Sequence, residues 1–156
     1  MKHLFVVKPG SSGMNRRLDR YGVREAEILG MAMEEIFNGS SFYIISSTAP
    51  SALDVSEILE GHLAVPKFEQ IKYLWSEENS PDGTFYHDQN LDRLIQIVNE
   101  RRDRADALVM VIHSRIVREF PTYFLRKEFR INGEIELPKG KAVHFDLENR
   151  SYELFP

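Results

Sequence analysis

The sequence predicts a single α/β domain of three layers, in which helices cover both faces of a mostly parallel central sheet. Strand-like apolar segments alternate with amphipathic helical segments along the chain, which is the pattern of parallel α/β proteins. Residues 107–112 are apolar throughout, as expected for a strand buried on both faces. The 156 residues, 42% hydrophobic and 28% charged, contain no repeat and no linker, so we expect one domain spanning residues 1–156.

The first half of the chain follows a β-α-β-α order. Residues 3–7 form an apolar, β-branched segment that predicts a strand, and Pro9-Gly10 begins the loop after it. A helix is predicted next and should end at Asn38-Gly39. Residues 42–45 predict a second strand, and Pro50 suits the first turn of a helix that reaches about Gly61. The first helix is predicted by an apolar stripe at helical spacing, made of Ala26, Leu29, Gly30, Met33, Ile36 and Phe37.

The second half repeats the alternation and ends in a hairpin. Residues 70–75 are a weaker strand candidate, and the polar stretch 76–87 is typical of a surface loop. After the buried strand 107–112, a helix is predicted from Ser114 to about Lys127, with Pro121 either kinking or restarting it. Residues 142–145 and 152–155 predict a terminal β-hairpin. The remaining helix is predicted by the spacing of Leu91, Leu94, Ile95 and Val98.

Charge and composition exclude several classes of protein. The net charge of −4 argues against a nucleic-acid partner, since binding phosphates along a strand needs a clustered basic surface. No apolar run is long enough to cross a membrane, and the N-terminus lacks the pattern of a secretory signal. Cysteine is absent, which excludes disulfides and thiolate chemistry. We therefore expect a cytoplasmic protein.

The basic residues are distributed unevenly along the chain. Residues 1–30 carry a net charge of +3 around the glycine-containing loop, and the other residues carry −7. Arginines at positions 16, 17, 20 and 24 account for most of this excess. They either solvate a loop and a helix face or help to form a small anion site, and the sequence leaves both interpretations open.

Common motifs for cofactors, metals and hydrolysis are missing. The loop at Gly10 has no lysine before the next helix, so it is not a nucleotide-binding P-loop, and a dinucleotide fingerprint is absent as well. No two histidines have metal-ligand spacing. The glycines around Ser11-Ser12 are one residue too close for a serine-hydrolase elbow. We therefore expect neither a metal nor a cofactor.

Four stretches of the sequence nevertheless form a familiar series. Residues 8–15 read Lys-Pro-Gly-Ser-Ser-Gly-Met-Asn, residues 20–26 read Arg-Tyr-Gly-Val-Arg-Glu-Ala, residues 46–52 read Ser-Ser-Thr-Ala-Pro-Ser-Ala, and residues 109–114 read Val-Met-Val-Ile-His-Ser. In this order, and over nearly the whole chain, the sequence resembles the histidine phosphatase superfamily, also called the phosphoglycerate mutase-like family. The short length is most similar to its small phosphohistidine-phosphatase branch. The resemblance implies the fold of that family.

The chain departs from the family at the catalytic positions. The family opens with Arg-His-Gly, in which the histidine becomes phosphorylated, and two arginines with a second histidine hold the phosphoryl group. By this resemblance Lys8 replaces the first arginine, Pro9 the nucleophile and Ser51 the second arginine, whereas His113 is retained. Proline has no side-chain nitrogen and cannot attack phosphorus. Loss of both guanidinium groups also weakens the grip on phosphate.

The resemblance and the departures together imply a degenerate, catalytically inactive member that binds an anion, a phosphorylated ligand or a protein partner. The expected phosphate-binding residues are Lys8, Gly10, Asn15, Ser51 and Ser114, around His113 at the catalytic position. His113 should then lie within reach of Lys8 and Asn15 at a concave site. The alternative is a divergent phosphatase for phosphomonoesters or phosphohistidine, with His113 as nucleophile or base and Lys8 and Asn15 as ligands of the phosphoryl group.

Simpler interpretations of these residues also remain open. His113 would serve as a structural histidine, Lys8 as a solvated charge and Asn15 as a partner for its own loop. Glu77 and Glu78 fall where the family often has its general acid, although solvated carboxylates explain them equally well. A homodimer is expected if an exposed patch is formed by Tyr73, Trp75, Phe85 and Tyr86.

Overall fold

The computed structural model describes residues 1–71, 74 and 87–156, apart from the side chains of residues 87–90, 114 and 115. Ten regular elements and one π-helical stretch follow each other in this part of the chain. They are β1 (His3–Val7), α1 (Arg20–Ile36), β2 (Phe42–Ser46), α2 (Pro50–Leu63), β3 (Glu69–Gln70), α3 (His87–Glu100), β4 (Ala107–Val111), α4 (Ser114–Phe124), the π-helical stretch Leu125–Phe129, β5 (Ala142–Asp146) and β6 (Ser151–Phe155).

The strands form one six-stranded sheet in the order β3-β2-β4-β1-β5-β6. β1, β2, β3 and β4 run parallel to one another, and β5 pairs antiparallel with both β1 and β6. The predicted α/β fold is confirmed, with the refinement that the terminal hairpin makes the sheet mixed. β1 and β4 lie at its centre, so the loops after these two strands emerge side by side at one edge.

A separate hydrophobic core covers each face of the sheet. Phe5, Val7 and Val111 pack under α1 and α2, whereas Leu4 and Ile112 pack on the other side under α3, α4 and the π-helical stretch. This division follows from the alternation of side chains along a strand. The same alternation determines which face of the sheet the side chains of Lys8 and His113, just beyond β1 and β4, point to.

Helix α1 begins earlier than the apolar stripe indicates. Asp19 caps its N-terminus by accepting hydrogen bonds from the backbone N–H groups of Tyr21 and Gly22. At the other end, the apolar stripe predicts that Ile36 lies on the buried face of the helix. This is wrong, because Ile36 is the last helical residue and is 61% exposed. Phe37 instead leaves the helix and packs its ring against Phe5, with centroids 5.1 Å apart.

Pro121 lies inside α4 without ending it. The helix continues to Phe124 and widens into the π-helical stretch, where the N–H of Leu125 donates to the carbonyls of Pro121 and Thr122. A proline has no N–H to place in the ladder, and such irregular hydrogen bonding close by is a common response. The predicted helix from Ser114 to about Lys127 is thus confirmed in extent.

Several predictions fall on residues outside the described part of the chain. The weak strand 70–75 is represented by Gln70 at the end of the two-residue β3. The loop at 76–86, Glu77, Glu78 and the proposed aromatic patch of Tyr73, Trp75, Phe85 and Tyr86 lie among the residues that the structure does not describe. In the described ranges, no helix combines the length and the apolar character needed to span a membrane.

Candidate functional site at the carboxyl ends of the strands

The candidate site lies beyond the carboxyl ends of the central strands β1 and β4. These strands pair in register from His3 with Ala107 to Val7 with Val111. The pairing continues past the strands, since the N–H of Ile112 donates to the carbonyl of Val7 at 3.1 Å. Pro9 and His113 each follow the last pair by two residues. They therefore occupy equivalent positions on neighbouring strands, and Pro9 is buried there.

His113 is a half-buried residue at the N-terminus of α4, and its side chain faces α2. Its Nδ1 atom lies 3.5 Å from the hydroxyl of Ser51, the long limit for a hydrogen bond. Ser51 stands in the first turn of α2, directly after Pro50, and is only 2% exposed. The structure therefore brings together His113 and Ser51 among the predicted site residues.

Burial is the main cause of a lowered pKa at His113. The positive charges of Arg16 and Lys139 act in the same direction. The lowered pKa favours the uncharged imidazole at neutral pH. In this form one ring nitrogen can accept a proton or donate its lone pair, whereas the other can donate a hydrogen bond.

Lys8 points to the opposite face of the sheet. Its Nζ donates to the carbonyl of Leu137 at 3.2 Å, inside a cleft between α4 and the segment 134–138. The cleft is also lined by Arg118 and Glu136. Burial lowers the pKa of Lys8, and the positive charges of Arg118 and Lys139 lower it further. Within the described residues, no hydrogen bond joins Lys8 to His113.

Gly10 packs against a carboxylate of the chain itself. The N–H of Ser11 points to Oε1 of Glu25 at 3.4 Å. A Cβ built on Gly10 would lie 2.8 Å from the same oxygen, and a Cβ on Gly140 would overlap the other one. Gly140 donates its N–H to the carbonyl of Lys8 at 3.0 Å, and this hydrogen bond holds Gly140 next to the end of β1. Two glycines thus enclose the Glu25 carboxylate directly behind Lys8 and Pro9.

Asn15 lies in a narrow, exposed turn that holds itself together. Ser12 and Leu18 form an isolated antiparallel bridge, and the N–H of Gly13 donates to the carbonyl of Arg17 at 2.9 Å. The side-chain oxygen of Asn15 accepts the N–H of Arg17 at 3.1 Å. Here Asn15 acts as a partner for its own loop, which is the simpler of its two interpretations.

The turn is fastened to both neighbouring helices. The Ser11 hydroxyl hydrogen-bonds to the carboxylate of Asp19, the capping residue of α1. Asp54 of α2 accepts the N–H of Leu18 at 3.0 Å and forms an ion pair with Arg17. Arg16, next in the chain, has a left-handed backbone with φ of 62°. These contacts hold Arg16 close enough for its charge to act on His113.

The site contains three cations without a carboxylate partner among the described residues. Within the described part of the chain, none of Arg16, Arg118 and Lys139 forms an ion pair, although acidic residues outnumber basic ones in the sequence. All three side chains belong to exposed residues. Together with Lys8 they place four positive charges at this edge of the sheet, to which an anion would be attracted, and Glu136 is the acidic residue that acts on Lys8.

Sequence reasoning missed two of these cations. Arg118 follows His113 by five residues, in the first two turns of the predicted helix. This short distance along the chain from His113 is the one feature of the sequence that indicates Arg118 as a site residue. Lys139 lies in the segment 130–141, where no periodicity indicates a fold. The side chain of Ser114, another predicted ligand, lies outside the description. Among the described residues, no group of three or more possible metal ligands is found.

Comparison with known proteins yields structural similarity without sequence similarity. No protein-family model matches the chain, and no curated protein matches it significantly. A proposed phosphohistidine phosphatase, SixA of Agrobacterium tumefaciens, superposes with a TM-score of 0.69 at 14% identity, over 99% of this chain and 96% of that one. The phosphoglycerate mutase of Plasmodium falciparum gives a TM-score of 0.64 at 16% identity, over 99% and 89% of the two chains.

A third similar structure was determined with an oxyanion. This is the protein histidine phosphatase SixA complexed with tungstate, with a TM-score of 0.67 at 13% identity over 98% of this chain and 96% of that chain. Identities of this size demonstrate a shared fold and leave activity open. The chain has the α/β fold of the histidine phosphatases and phosphoglycerate mutases, as the resemblance of its sequence implied.

Proposed function

We propose that the protein is a phosphatase-fold protein without phosphoryl-transfer activity, which binds a phosphorylated or otherwise anionic ligand at the carboxyl ends of β1 and β4. Its task would then be binding, scaffolding or regulation, with a phosphorylated small molecule or protein as partner. The observation that carries the proposal is the group of Arg16, Arg118 and Lys139 around His113 and Lys8, three cations that form no ion pair within the described residues. Unpaired positive charges at one edge of an acidic protein are stabilised when an anion binds.

Loss of catalysis is supported by the residue beside His113. Pro9 follows the end of β1 by two residues, in the position equivalent to that of His113 after β4, and it is buried. Its ring nitrogen belongs to the backbone amide and has no lone pair for attack on phosphorus. A phosphohistidine intermediate cannot form at this position.

The two arginines of the family also have no equivalent at their positions. Lys8 donates to the carbonyl of Leu137 and offers a single ammonium group instead of a planar fork. Ser51 is buried against His113 and can give at most one hydroxyl hydrogen bond. An anion would still be attracted here, but without the bidentate contacts that stabilise a transition state.

Direct binding tests the proposal. We expect inorganic phosphate to bind one site in calorimetric titration, and Lys139→Gln to weaken that binding by about tenfold, the value of a well-placed charge. Lys67→Gln is the matched control, because Lys67 is an exposed lysine that follows α2 at the opposite edge of the sheet. Absence of saturable binding, or equal losses in the two variants, would contradict an anion site here.

Activity assays test the second half of the proposal. We expect no hydrolysis of an aryl phosphate or of a phosphohistidine peptide beyond that of the His113→Ala variant. The alternative function, a divergent phosphatase, is favoured by one feature, the burial that lowers the pKa of His113 and so favours its uncharged form. In that case His113 would act as nucleophile or base, with Lys8 and Asn15 on the phosphoryl group. Turnover that disappears with His113 would establish the alternative.

A further inference from the structure

Helix α1 exposes more large apolar side chains than any other element in the described part of the chain. Tyr21, Val23, Ile28, Met31 and Ile36 are all exposed, and they are five of the nine such side chains among the described residues. Single apolar residues on a surface need no explanation, but several on one helix are typical of an interaction site.

Three of these side chains lie on one line along the helix, together with two charged residues. Tyr21, Arg24, Ile28, Met31 and Glu35 follow each other at alternating intervals of three and four residues, which is the spacing of a seam between two helices. We call these five residues the α1 stripe. All five are exposed, and the buried residues of α1 lie on the opposite side of the helix, toward the sheet and α2.

The two charged residues of the α1 stripe have no partner in the described part of the chain. Neither Arg24 nor Glu35 forms an ion pair or a hydrogen bond there. Two other glutamates of the helix differ, because Glu27 pairs with His62 of α2 and Glu34 lies 3.6 Å from the same imidazole. The stripe therefore has one positive charge near its beginning and one negative charge at its end.

This order of charges makes the α1 stripe complementary to itself when two copies of α1 pack antiparallel. With a two-fold axis midway between Ile28 and Met31, Ile28 lies level with the partner's Met31, and Arg24 lies level with the partner's Glu35. Symmetry provides each contact twice, so two ion pairs flank an apolar centre. Parallel packing would instead place like charges opposite each other, which is unfavourable.

We propose that the protein forms a homodimer through the α1 stripe, with the two copies of α1 antiparallel. Ile28 and Met31 form the apolar centre, and Arg24 and Glu35 determine the orientation, since complementary charges fix the register of an interface. The proposal uses no residue of the anion site, so it and the proposed function stand or fall separately.

Sedimentation velocity at several protein concentrations tests the proposal. We expect a monomer–dimer equilibrium with a Kd on the order of 100 µM, because one helix per chain gives an interface at the small end of the known range. Arg24→Glu and Glu35→Arg should each weaken the dimer by about tenfold, because each places like charges opposite each other. The double variant with both substitutions should restore the dimer, since the two charges have then exchanged positions.

Arg130→Glu is the matched control, because Arg130 is exposed and follows the π-helical stretch on the other face of the sheet. It should dimerise as the wild type does, and circular dichroism should show that every variant is folded. A wild type that stays monomeric, or equal effects of Arg24→Glu and Arg130→Glu, would overturn the proposal. A double variant no better than the single ones would do the same, because a loss caused by local disturbance of the helix is not rescued by exchanging the charges.

Discussion

His113 differs from an ordinary surface histidine because three influences favour its uncharged form. Burial is the largest, and the charges of Arg16 and Lys139 add to it. An anion bound among these groups would act in the opposite direction, since a negative charge favours the imidazolium. The protonation of His113 and the binding of an anion should therefore be linked.

This linkage gives a prediction for pH. Sulfate is a suitable probe, because its charge is constant between about pH 8 and pH 5, where histidine titrates. We expect sulfate affinity to rise as the pH falls below 6.5, the ordinary pKa of histidine, because protonated His113 adds a cation to the site. Calorimetric titrations across this range measure the effect.

The His113→Gln variant provides the control for the sulfate experiment. Glutamine keeps a hydrogen-bonding side chain and does not titrate. Its sulfate affinity should vary much less with pH than that of the wild type. A variant with the same pH dependence as the wild type would place the responsible group elsewhere.

At the scale of single residues, the sequence predicts the position of the site better than its contacts. The strand-end rule identifies Lys8, Ser51 and His113, and the structure places all three at one edge of the sheet. The strand-end rule does not indicate that the side chain of Lys8 donates a hydrogen bond to the carbonyl of Leu137. That carbonyl comes from residue 137, which lies 129 positions away, and local sequence patterns contain no information on such contacts.

Among the elements, α1 and the loop before it are joined by a very close backbone contact. Gly22 lies in the first turn of α1, and a Cβ there would overlap the carbonyl oxygen of Ser11. The same carbonyl accepts the N–H of Asp19 at 3.1 Å. Only glycine allows the helix to approach the strand-end loop this closely.

Substitution of this glycine tests the contact. Gly22→Ala should lower the free energy of unfolding by about 1–3 kcal/mol, because the added methyl group meets backbone that cannot move independently. Gly61→Ala is the matched control within α2, where a Cβ would have no neighbour within 4 Å. It should raise stability by about 0.5–1 kcal/mol through helix propensity. Urea denaturation measures both, and a stabilised Gly22→Ala would refute the close approach.

Asp54 of α2 is the second residue that holds the loop at residues 12–18 in place. It accepts the N–H of Leu18 and pairs with Arg17. Asp54→Ala should cost about 1 kcal/mol for the lost backbone hydrogen bond, since the exposed ion pair contributes little. Amide hydrogen exchange should become faster at residues 12–18. Unchanged exchange there would show that α1 alone fixes the loop.

The elements themselves were largely predictable, and the exceptions have local causes. The fully buried β4 and the hairpin were readable because their apolar patterns are strong. Ile36 satisfies the helical period, yet it ends α1 in solvent. The π-helical stretch after Pro121 depends on hydrogen bonds that periodicity does not encode. Pattern identifies the buried face of an element and is least informative at its ends.

At the scale of the whole molecule, partly buried His3, buried His144 and a glutamate link three strands of the sheet. His144 of β5 is 7% exposed, stacks on Phe5 with centroids 4.7 Å apart, and lies with Nε2 3.0 Å from Nδ1 of His3. Its Nδ1 lies 3.2 Å from the carboxylate of Glu153 on β6. Burial lowers the pKa of His3, and proximity to His144 lowers it further.

These histidines predict the pH dependence of stability. The folded-state pKa values of His3 and His113 both lie below the ordinary value of 6.5. At a pH between the folded-state pKa of each histidine and the ordinary value, the unfolded chain binds more protons than the folded chain. The stability that these histidines contribute is therefore complete above about pH 6.5 and is lost as the pH falls through their folded-state pKa values. The free energy of unfolding should thus be lower at about pH 5.5 than at about pH 7.5.

Urea titrations at the two pH values give the measurement, and His113→Gln gives the control. The variant lacks one of the two titrating groups, so its stability should fall less between the two pH values. Higher stability at the acidic value would mean that protonation strengthens the folded state, contrary to the direction expected from His3 and His113.

The enclosure of the Glu25 carboxylate between Gly10 and Gly140 also constrains how this sequence can vary. Positions 10, 25 and 140 are far apart along the chain, yet they share one small space. The Glu25 carboxylate fills the room that a side chain at position 10 or 140 would need. We expect them to covary among homologues, with a side chain at position 10 or 140 tolerated only beside a shorter residue at position 25. A graft of residues 8–15 onto another scaffold would have to carry the other two positions with it.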